Sequence, residues 1–151
     1  MRVLALDLGS KRIGVAVSDR SGTIASPLTV LQRTESHQED HRRIRALVEE
    51  EEAERVVVGL PLSLDGSIGP AARGAIAEAE ELSSVIEVPV ETFDERLTTV
   101  SADRVLMEQR MRAEARRRVV DKVAAAVMLQ AWLDHRRVAG TTLSAPDEQD
   151  R

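Results

Sequence analysis

Three acidic residues stand out because each lies where a lone carboxylate is costly. Asp7 comes at the end of a short apolar segment, and Glu95 follows the last segment that has the alternation of a strand. Asp121 lies near the start of a long helical pattern and shares a helix face with Ala125 and Trp132, so it faces protein. Burying a carboxylate is expensive unless it is paired or binds a metal ion. These three acids are therefore the candidates for catalysis.

Each of the three acids also has an ordinary structural explanation. Asp7 could accept hydrogen bonds from the amides of the hairpin that follows it. Asp94 or Glu95 could cap the next helix, and because neighbouring strand residues point to opposite faces, at most one of these two would join a cluster. Asp121 could pair with a nearby arginine or interact favourably with the helix N-terminus. Taken singly, these explanations are at least as good as catalysis.

Considered together, the three acids indicate a metal site. The carboxyl ends of parallel strands meet at one edge of a sheet, so Asp7 and Glu95 would arrive there, and a packed helix can add Asp121. Such carboxylates repel one another until a cation neutralises them, and oxygen ligands without His or Cys suit Mg²⁺ or Mn²⁺. Two such ions can bind the attacking and leaving oxygens of a phosphodiester. The acids thus predict metal-dependent hydrolysis of phosphodiester bonds.

The basic residues could form a phosphate-binding surface. A net charge of −5 argues weakly against nucleic acid as a partner, but acid is concentrated at 49–54 and 78–81, so one face can still be basic. For the arginine cluster alone, an exposed helix of solvated charges is the simpler explanation. The predicted nucleic-acid-binding residues flank the acids or lie in an arginine-rich stretch, and they are Lys11, Arg12, Arg96, Arg110, Arg112, Arg116 and Arg117.

The three histidines give little indication of a site. His37 and His41 are four residues apart and could share a helix face, but no third ligand lies near them in sequence. Surface positions are therefore predicted for them and for His135. Asp19 lies in a turn cluster at the far end of the first hairpin and is predicted to be a turn residue.

The pattern of apolar residues predicts the elements that must position these side chains. Three strands in a meander are followed by units in which strands and helices alternate. Because a parallel connection needs a crossover helix, this order predicts an α/β fold with one mixed five-stranded sheet and helices on both faces. It is the element order of the ribonuclease H-like fold. The predicted strands are 3–8, 13–18, one that includes 29–31, 55–59 and 88–93, and the predicted helices are 39–54, 70–84, 98–109 and 115–137.

Length and composition limit the possibilities further. The 151 residues favour one domain, at 1–138, followed by a flexible tail at 139–151. The absence of Cys excludes disulfides, zinc–thiolate sites and a cysteine nucleophile. The sequence has one Phe, one Trp and no Tyr, which excludes the stacking of successive bases on aromatic platforms. No apolar run approaches the roughly 20 residues that span a bilayer, so a cytoplasmic protein without a membrane partner is expected.

Four motifs make the sequence similar to a known family. They are DLGSKRIGVA at 7–16, VGLP at 58–61 with DG at 65–66, DERLTT at 94–99 and DKVAA at 121–125. In order and spacing they resemble the YqgF/RuvX family, and the resemblance covers residues 1–137. It implies a fold similar to that of the Holliday junction resolvase RuvC and an acidic triad of Asp7, Glu95 and Asp121. It also implies phosphate contacts from Arg12 and Arg96, and a cleft lined by residues 60–66.

The leading hypothesis is a Mg²⁺- or Mn²⁺-dependent endonuclease that matures the 5′ end of precursor 16S ribosomal RNA, as the resemblance implies. In this hypothesis Asp7 bridges two ions, and Glu95 and Asp121 complete their coordination. The partners would be precursor rRNA and ribosomal precursor particles, and the chain would act as a monomer or homodimer.

Three rival functions remain open at this point. One is a resolvase of branched DNA, which would be expected to dimerise so that paired nicks fall symmetrically. Another is a nucleotide-binding fragment of the actin-like ATPase kind, against which 151 residues leave no room for a second lobe. The third is a nucleic-acid-binding regulator without catalysis, whose arginines matter and whose acids do not.

Overall fold

A computed structural model describes residues 1–98 and 121–137 of the chain. The described residues form five strands, two helices with both ends visible, a 3-10 turn and a further helical segment. In chain order these are β1 (Val3–Leu8), β2 (Arg12–Ser18), β3 (Ala25–Gln32), α1 (His37–Glu50), β4 (Arg55–Leu60), α2 (Pro70–Val85), β5 (Val90–Asp94), the 3-10 turn (Glu95–Leu97) and α3 (residues 121–137).

The five strands form one mixed sheet with β1 at its centre. The strand order is β3-β2-β1-β4-β5. The β1–β2 and β2–β3 pairs are antiparallel, whereas the β1–β4 and β4–β5 pairs are parallel. The predicted α/β fold, with three antiparallel strands followed by βα units, is therefore confirmed.

Both faces of β1 are buried, each under a different layer of helices. Leu4 and Leu6 point to the face covered by α1 and α2, in a cluster that contains Ile44 and Leu82. The alternate positions, which include Val3, point to the face covered by α3. The second cluster is small and is built from Val3, Ala5, Ala16, Val57, Ala125, Ala126, Met128, Leu129, Trp132 and Leu133. Helices on both faces of the sheet are thus observed as predicted.

Local signals set the ends of the helices. Ser36 caps α1, because its hydroxyl accepts a hydrogen bond from the Glu39 amide at 3.1 Å, and α1 begins two residues before the predicted start at 39. It ends at Glu50 rather than at 54, since the chain turns at Glu52, whose φ is +54°, on its way into β4. Pro70 occupies the first turn of α2, where a missing amide hydrogen costs nothing.

The remaining boundaries lie close to the predicted ones where they can be compared. β1 has the predicted range, β3 extends over eight residues, and β5 begins at Val90 instead of 88. Residues 99–109 of the helix predicted at 98–109, residues 115–120 of the last predicted helix and the predicted tail at 139–151 lie outside the described residues. No helix in the two described ranges combines the length and apolar character that a membrane span requires.

One prediction about the histidines is wrong. His41 is buried, with 4% of its side chain exposed, because α2 places Glu78 beside its ring, with 2.8 Å between Nε2 and Oε2. The imidazole therefore has a hydrogen-bond partner in the interior, which makes its burial tolerable. His37 and His135 are exposed, as predicted. Asp19 accepts backbone hydrogen bonds within its own turn, which confirms its predicted role.

Candidate active site

Asp7 lies at the carboxyl end of the central strand, on the face covered by α3. It follows Val3 and Ala5 at alternate positions of β1, and both of these pack beneath α3. In the register of the sheet Asp7 is paired with Gly14 of β2. The parallel strands β4 and β5 end at the same edge of the sheet, so the residues that follow them arrive near Asp7.

Glu95 reaches Asp7 from two strands away. It is the first residue of the 3-10 turn after β5, and its carboxyl is hydrogen-bonded to that of Asp7. Neighbouring strands lie about 4.8 Å apart, so the contact must cross β4 over roughly 10 Å. Gly59 of β4 provides the space for this contact, because a Cβ there would lie 2.6 Å from Oε1 of Glu95. Of the two adjacent acids, Glu95 is the one that contacts Asp7.

This contact between two carboxyls changes the affinity of Glu95 for protons. Burial, the charge of Asp7 and the hydrogen bond to Asp7 raise the pKa of Glu95 from 4.5 to about 7. The neighbouring Asp94 shows the opposite behaviour, because the hydrogen bond from Arg96 lowers its pKa. Near neutral pH the Asp7–Glu95 pair therefore holds a proton part of the time, and a bound cation would release it.

The first residue of the described part of α3 lies against the same strand pair. A Cβ at Gly14 would collide with the backbone carbonyl of Asp121, so the helix approaches β2 directly beside Asp7. The carboxylate of Asp121 accepts a hydrogen bond from Nε of Arg12 at 2.6 Å, and both side chains are one-quarter exposed. Asp121 therefore has an ion-pair partner in β2. The neighbouring Arg117 and Arg118, which are the partners expected from the sequence, lie outside the described residues.

The predicted phosphate-binding residues that the structure describes differ in their contacts. Lys11 is exposed in the β1–β2 turn. Arg96 pairs with Asp94 at 2.7 Å and donates a hydrogen bond to the Leu64 carbonyl at 3.4 Å, so it joins the segment 60–66 to the end of β5. The other predicted phosphate-binding residues, Arg110, Arg112, Arg116 and Arg117, lie outside the described residues.

Sequence reasoning missed two features of this region. It included Gly14 and Gly59 in motifs without seeing that each leaves space for one of the acids. It also missed a second group of polar side chains, His37, His41 and Glu78, whose potential ligand atoms all lie within 4.8 Å of one another. His41 of α1 and Glu78 of α2 are 37 residues apart in the sequence, and a local pattern cannot reveal such a contact.

The sequence of the chain is similar to those of a known protein family and its members. A family model described as "RuvX: Holliday junction resolvase" matches residues 1–135. A protein of Mycobacterium sp. (strain KMS) is 49% identical over 148 residues, which cover 97% of this chain and 86% of that protein. A protein of Thermoanaerobacter pseudethanolicus is 43% identical over 138 residues, which cover 91% of this chain and 99% of that protein. Both relatives carry the name "Putative pre-16S rRNA nuclease".

Solved structures also share the fold. RuvC of T. thermophilus in complex with a Holliday junction substrate matches with a TM-score of 0.58 and 18% sequence identity, over 91% of this chain and 96% of that chain. At this identity the match establishes the ribonuclease H-like fold of the chain.

Proposed function

Because the chain belongs to the RuvX family, we propose that it is a nuclease that hydrolyses phosphodiester bonds in precursor 16S rRNA. The family match spans residues 1–135, and the relatives named for this activity are aligned over nearly the whole chain. The proposal includes a location in the cytoplasm, where precursor rRNA would be encountered.

The observation that carries the proposal is the contact between Asp7 and Glu95. Two carboxyls share one edge of the sheet, and the pKa of Glu95 rises to about 7 because its carboxyl is partly buried and lies beside the charge of Asp7. A purely structural pair would gain nothing from such repulsion, whereas functional sites commonly contain groups perturbed in this way. The arrangement supports a site that is completed by a cation.

The donors fit a hard divalent cation. The carboxylates of Asp7, Glu95 and Asp121 would hold Mg²⁺ or Mn²⁺, since these ions prefer oxygen ligands and the three acids offer no nitrogen or sulfur. When bound, such an ion supplies Lewis-acid stabilisation of the charge that develops on the phosphate.

The chain's own residues orient the acids and attract the substrate. Arg12 holds the carboxylate of Asp121 through its Nε, which fixes the direction of that acid in α3. Lys11 and Arg96 would attract the phosphate backbone, and their solvent-exposed positions suit that role. The arginines of the 110–117 stretch are assigned the same role on sequence grounds alone.

Substitution of Asp7 tests the proposal. With purified protein, Mg²⁺ and precursor 16S rRNA, we expect Asp7→Asn to lower the cleavage rate by at least about 100-fold, because loss of a group that only orients a ligand already costs about 10- to 100-fold. Asp134→Asn is the matched control, since Asp134 is a partly exposed acid that pairs with Arg137 near the end of α3. Equal cleavage by Asp7→Asn and the parent protein would show that the acids are not catalytic.

A second candidate substrate is favoured by the description of the family. RuvX is described as a Holliday junction resolvase, so branched DNA belongs in the same assay. Cleavage of a four-way junction in preference to precursor rRNA, together with a dimer in solution, would show that the same site acts on branched DNA. Precursor rRNA with an unprocessed 5′ end, accumulating after depletion of the protein in cells, would support the RNA substrate.

A further inference from the structure

A buried ionic cluster lies on the face of the sheet opposite α3. Arg33, which follows β3, donates hydrogen bonds to both carboxylate oxygens of Glu78 in α2 at 2.7 and 2.8 Å. The same Glu78 is hydrogen-bonded to His41 of α1, and Asp40 lies 3.6 Å from the guanidinium. The exposed fractions of the Arg33 and Glu78 side chains are 12% and 6%. This cluster fixes the direction of the guanidinium.

Two hydrogen bonds donated by Arg33 lead from this cluster to the proposed catalytic edge. Nε of Arg33 donates to the carbonyl of Gly9 at 2.8 Å, and the Arg33 amide donates to the carbonyl of Lys11 at 2.8 Å. The turn between them is tight, because the Gly9 amide donates to the Arg12 carbonyl at 2.9 Å. Arg33 therefore holds both ends of the turn that follows Asp7.

The stability of the fold does not by itself account for this cluster. Desolvation of buried charges largely cancels their attraction, and apolar residues of similar volume often stabilise a protein as well or better. Burial alone would raise the pKa of Glu78, but the hydrogen bonds from Arg33 and His41 lower it, so the carboxylate stays ionised. A charged guanidinium held in this way is suited to fixing the geometry of what it contacts.

The cluster also contains a set of side chains that could ligate a metal ion. His37, His41 and Glu78 have potential ligand atoms within 4.8 Å of one another. However, both oxygens of Glu78 accept hydrogen bonds from Arg33, and one of them is also bonded to His41. A cation at Glu78 would meet the positive guanidinium and would have to replace these bonds. The contacts favour a clamp rather than a metal site.

We propose that Arg33 is a positioning residue for the nuclease site: anchored by Glu78, it fixes the Gly9–Arg12 turn and with it Asp7, Lys11 and Arg12. This inference rests on the proposed function. In this proposal the ionic cluster under α1 and α2 supports RNA cleavage on the opposite face of the sheet, through the side-chain hydrogen bond from Arg33 to the Gly9 carbonyl. Loosening that bond should leave the acids present but less well oriented.

Arg33→Lys is the primary test. A lysine keeps the positive charge beside Glu78, but a single ammonium cannot reproduce the planar fork that holds both carboxylate oxygens and the Gly9 carbonyl. We expect kcat for precursor rRNA to fall by about 10- to 100-fold and the Mg²⁺ concentration for half-maximal activity to rise, with a smaller change in KM. Hydrogen exchange of the Gly9 and Arg33 amides, which donate to the Arg12 and Lys11 carbonyls, should become faster.

Arg43→Gln is the matched control. Arg43 donates a hydrogen bond to the Gln32 carbonyl at 2.7 Å, so it also joins an arginine to the end of β3, but that carbonyl lies outside the β1–β2 turn. We expect its kcat and Mg²⁺ dependence to equal those of the parent. Glu78→Gln serves as a second variant if Arg33→Lys does not fold, because it keeps the volume and weakens the anchor, and it should change kcat in the same direction.

Four results would overturn the inference. The cluster would be purely structural if folded Arg33→Lys or folded Glu78→Gln kept the parental kcat, the parental Mg²⁺ dependence and the parental rate of amide hydrogen exchange in the β1–β2 turn. An equal loss of kcat in Arg43→Gln would remove its specificity. Binding of Zn²⁺ by the parent that is lost in His37→Gln would identify a metal site instead. A parent protein that cleaves no RNA overturns the proposed function as well, whereas a cleaving parent with unaffected variants overturns the clamp alone.

Discussion

Replacing Glu95 by Gln should stabilise the metal-free protein above neutral pH. In the folded protein the pKa of Glu95 is raised to about 7, first by burial and then by Asp7, from an ordinary value of 4.5. A carboxyl with a raised pKa is harmless to the fold while protonated, below about pH 4.5, and its ionisation is increasingly penalised as pH rises through about 7. The metal-free parent should therefore lose stability across this window.

The expected difference in the free energy of unfolding follows from the same shift in the pKa of Glu95. A rise in pKa from 4.5 to about 7 corresponds to about 3 kcal/mol at most, at 1.36 kcal/mol for each tenfold change in proton affinity. Because the carboxyl is only partly buried, water screens some of the repulsion, and we expect about 1–2 kcal/mol. Glu95→Gln is neutral at every pH and should be more stable than the parent by this amount at about pH 8, but not at about pH 5.

The assay is denaturant unfolding with a chelator and with excess Mg²⁺, at both pH values. We expect Mg²⁺ to stabilise the parent at high pH and to have little effect on Glu95→Gln, since the cation neutralises the ionised pair. Asp94→Asn is the control at the neighbouring position, where Arg96 lowers the pKa and removal of the charge should bring no gain. The same loss of stability between about pH 5 and about pH 8 in Glu95→Gln and in the parent would show that ionisation of Glu95 does not destabilise the fold.

Two further predictions concern glycines. Gly14→Ala should lower the free energy of unfolding by about 1–3 kcal/mol, because the new methyl collides with the Asp121 carbonyl; Gly74→Ala, at an open position of α2, should instead raise it by about 0.5–1 kcal/mol in the same denaturant titration. Gly59→Ala should fold with nearly parental stability, because the neighbour it meets is the flexible end of Glu95, while RNA cleavage in Mg²⁺ falls severalfold; parental cleavage would contradict the role of this space.

The sheet and the pairing of the acids were predictable because they depend on short periodicities. The alternation in β1 put Asp7 on one face, and the rule that neighbouring strand residues face opposite ways allowed at most one of Asp94 and Glu95 to join it. The same reasoning put Asp121 on the buried face of the last helix, whose residues Ala125 and Trp132 are buried. Each inference needed only residues within one element and the order of elements along the chain.

The ionic cluster could not be predicted in this way. Arg33 and Glu78 are 45 residues apart, and Glu78 belongs to a run of acids that looks like a solvated surface of α2. Its burial depends on how α1 and α2 cross the sheet, which places His41 beside it. Partners that meet through tertiary packing leave no periodic signal, so the prediction that His41 lies at the surface failed for the same reason.

The glycines show how Glu95 and α3 approach Asp7, at an edge that the net charge of −5 did not reveal. Gly14 is the partner of Asp7 on β2, and Gly59 follows the β4 residue paired with Leu6, so glycines flank the central strand on both sides. The first leaves space for the backbone of α3, and the second leaves space for the side chain of Glu95. The site is therefore created as much by the absence of two side chains as by the presence of acids. A search for carboxylates alone finds the candidate residues, whereas a search for missing Cβ atoms finds the space through which Glu95 and α3 approach Asp7.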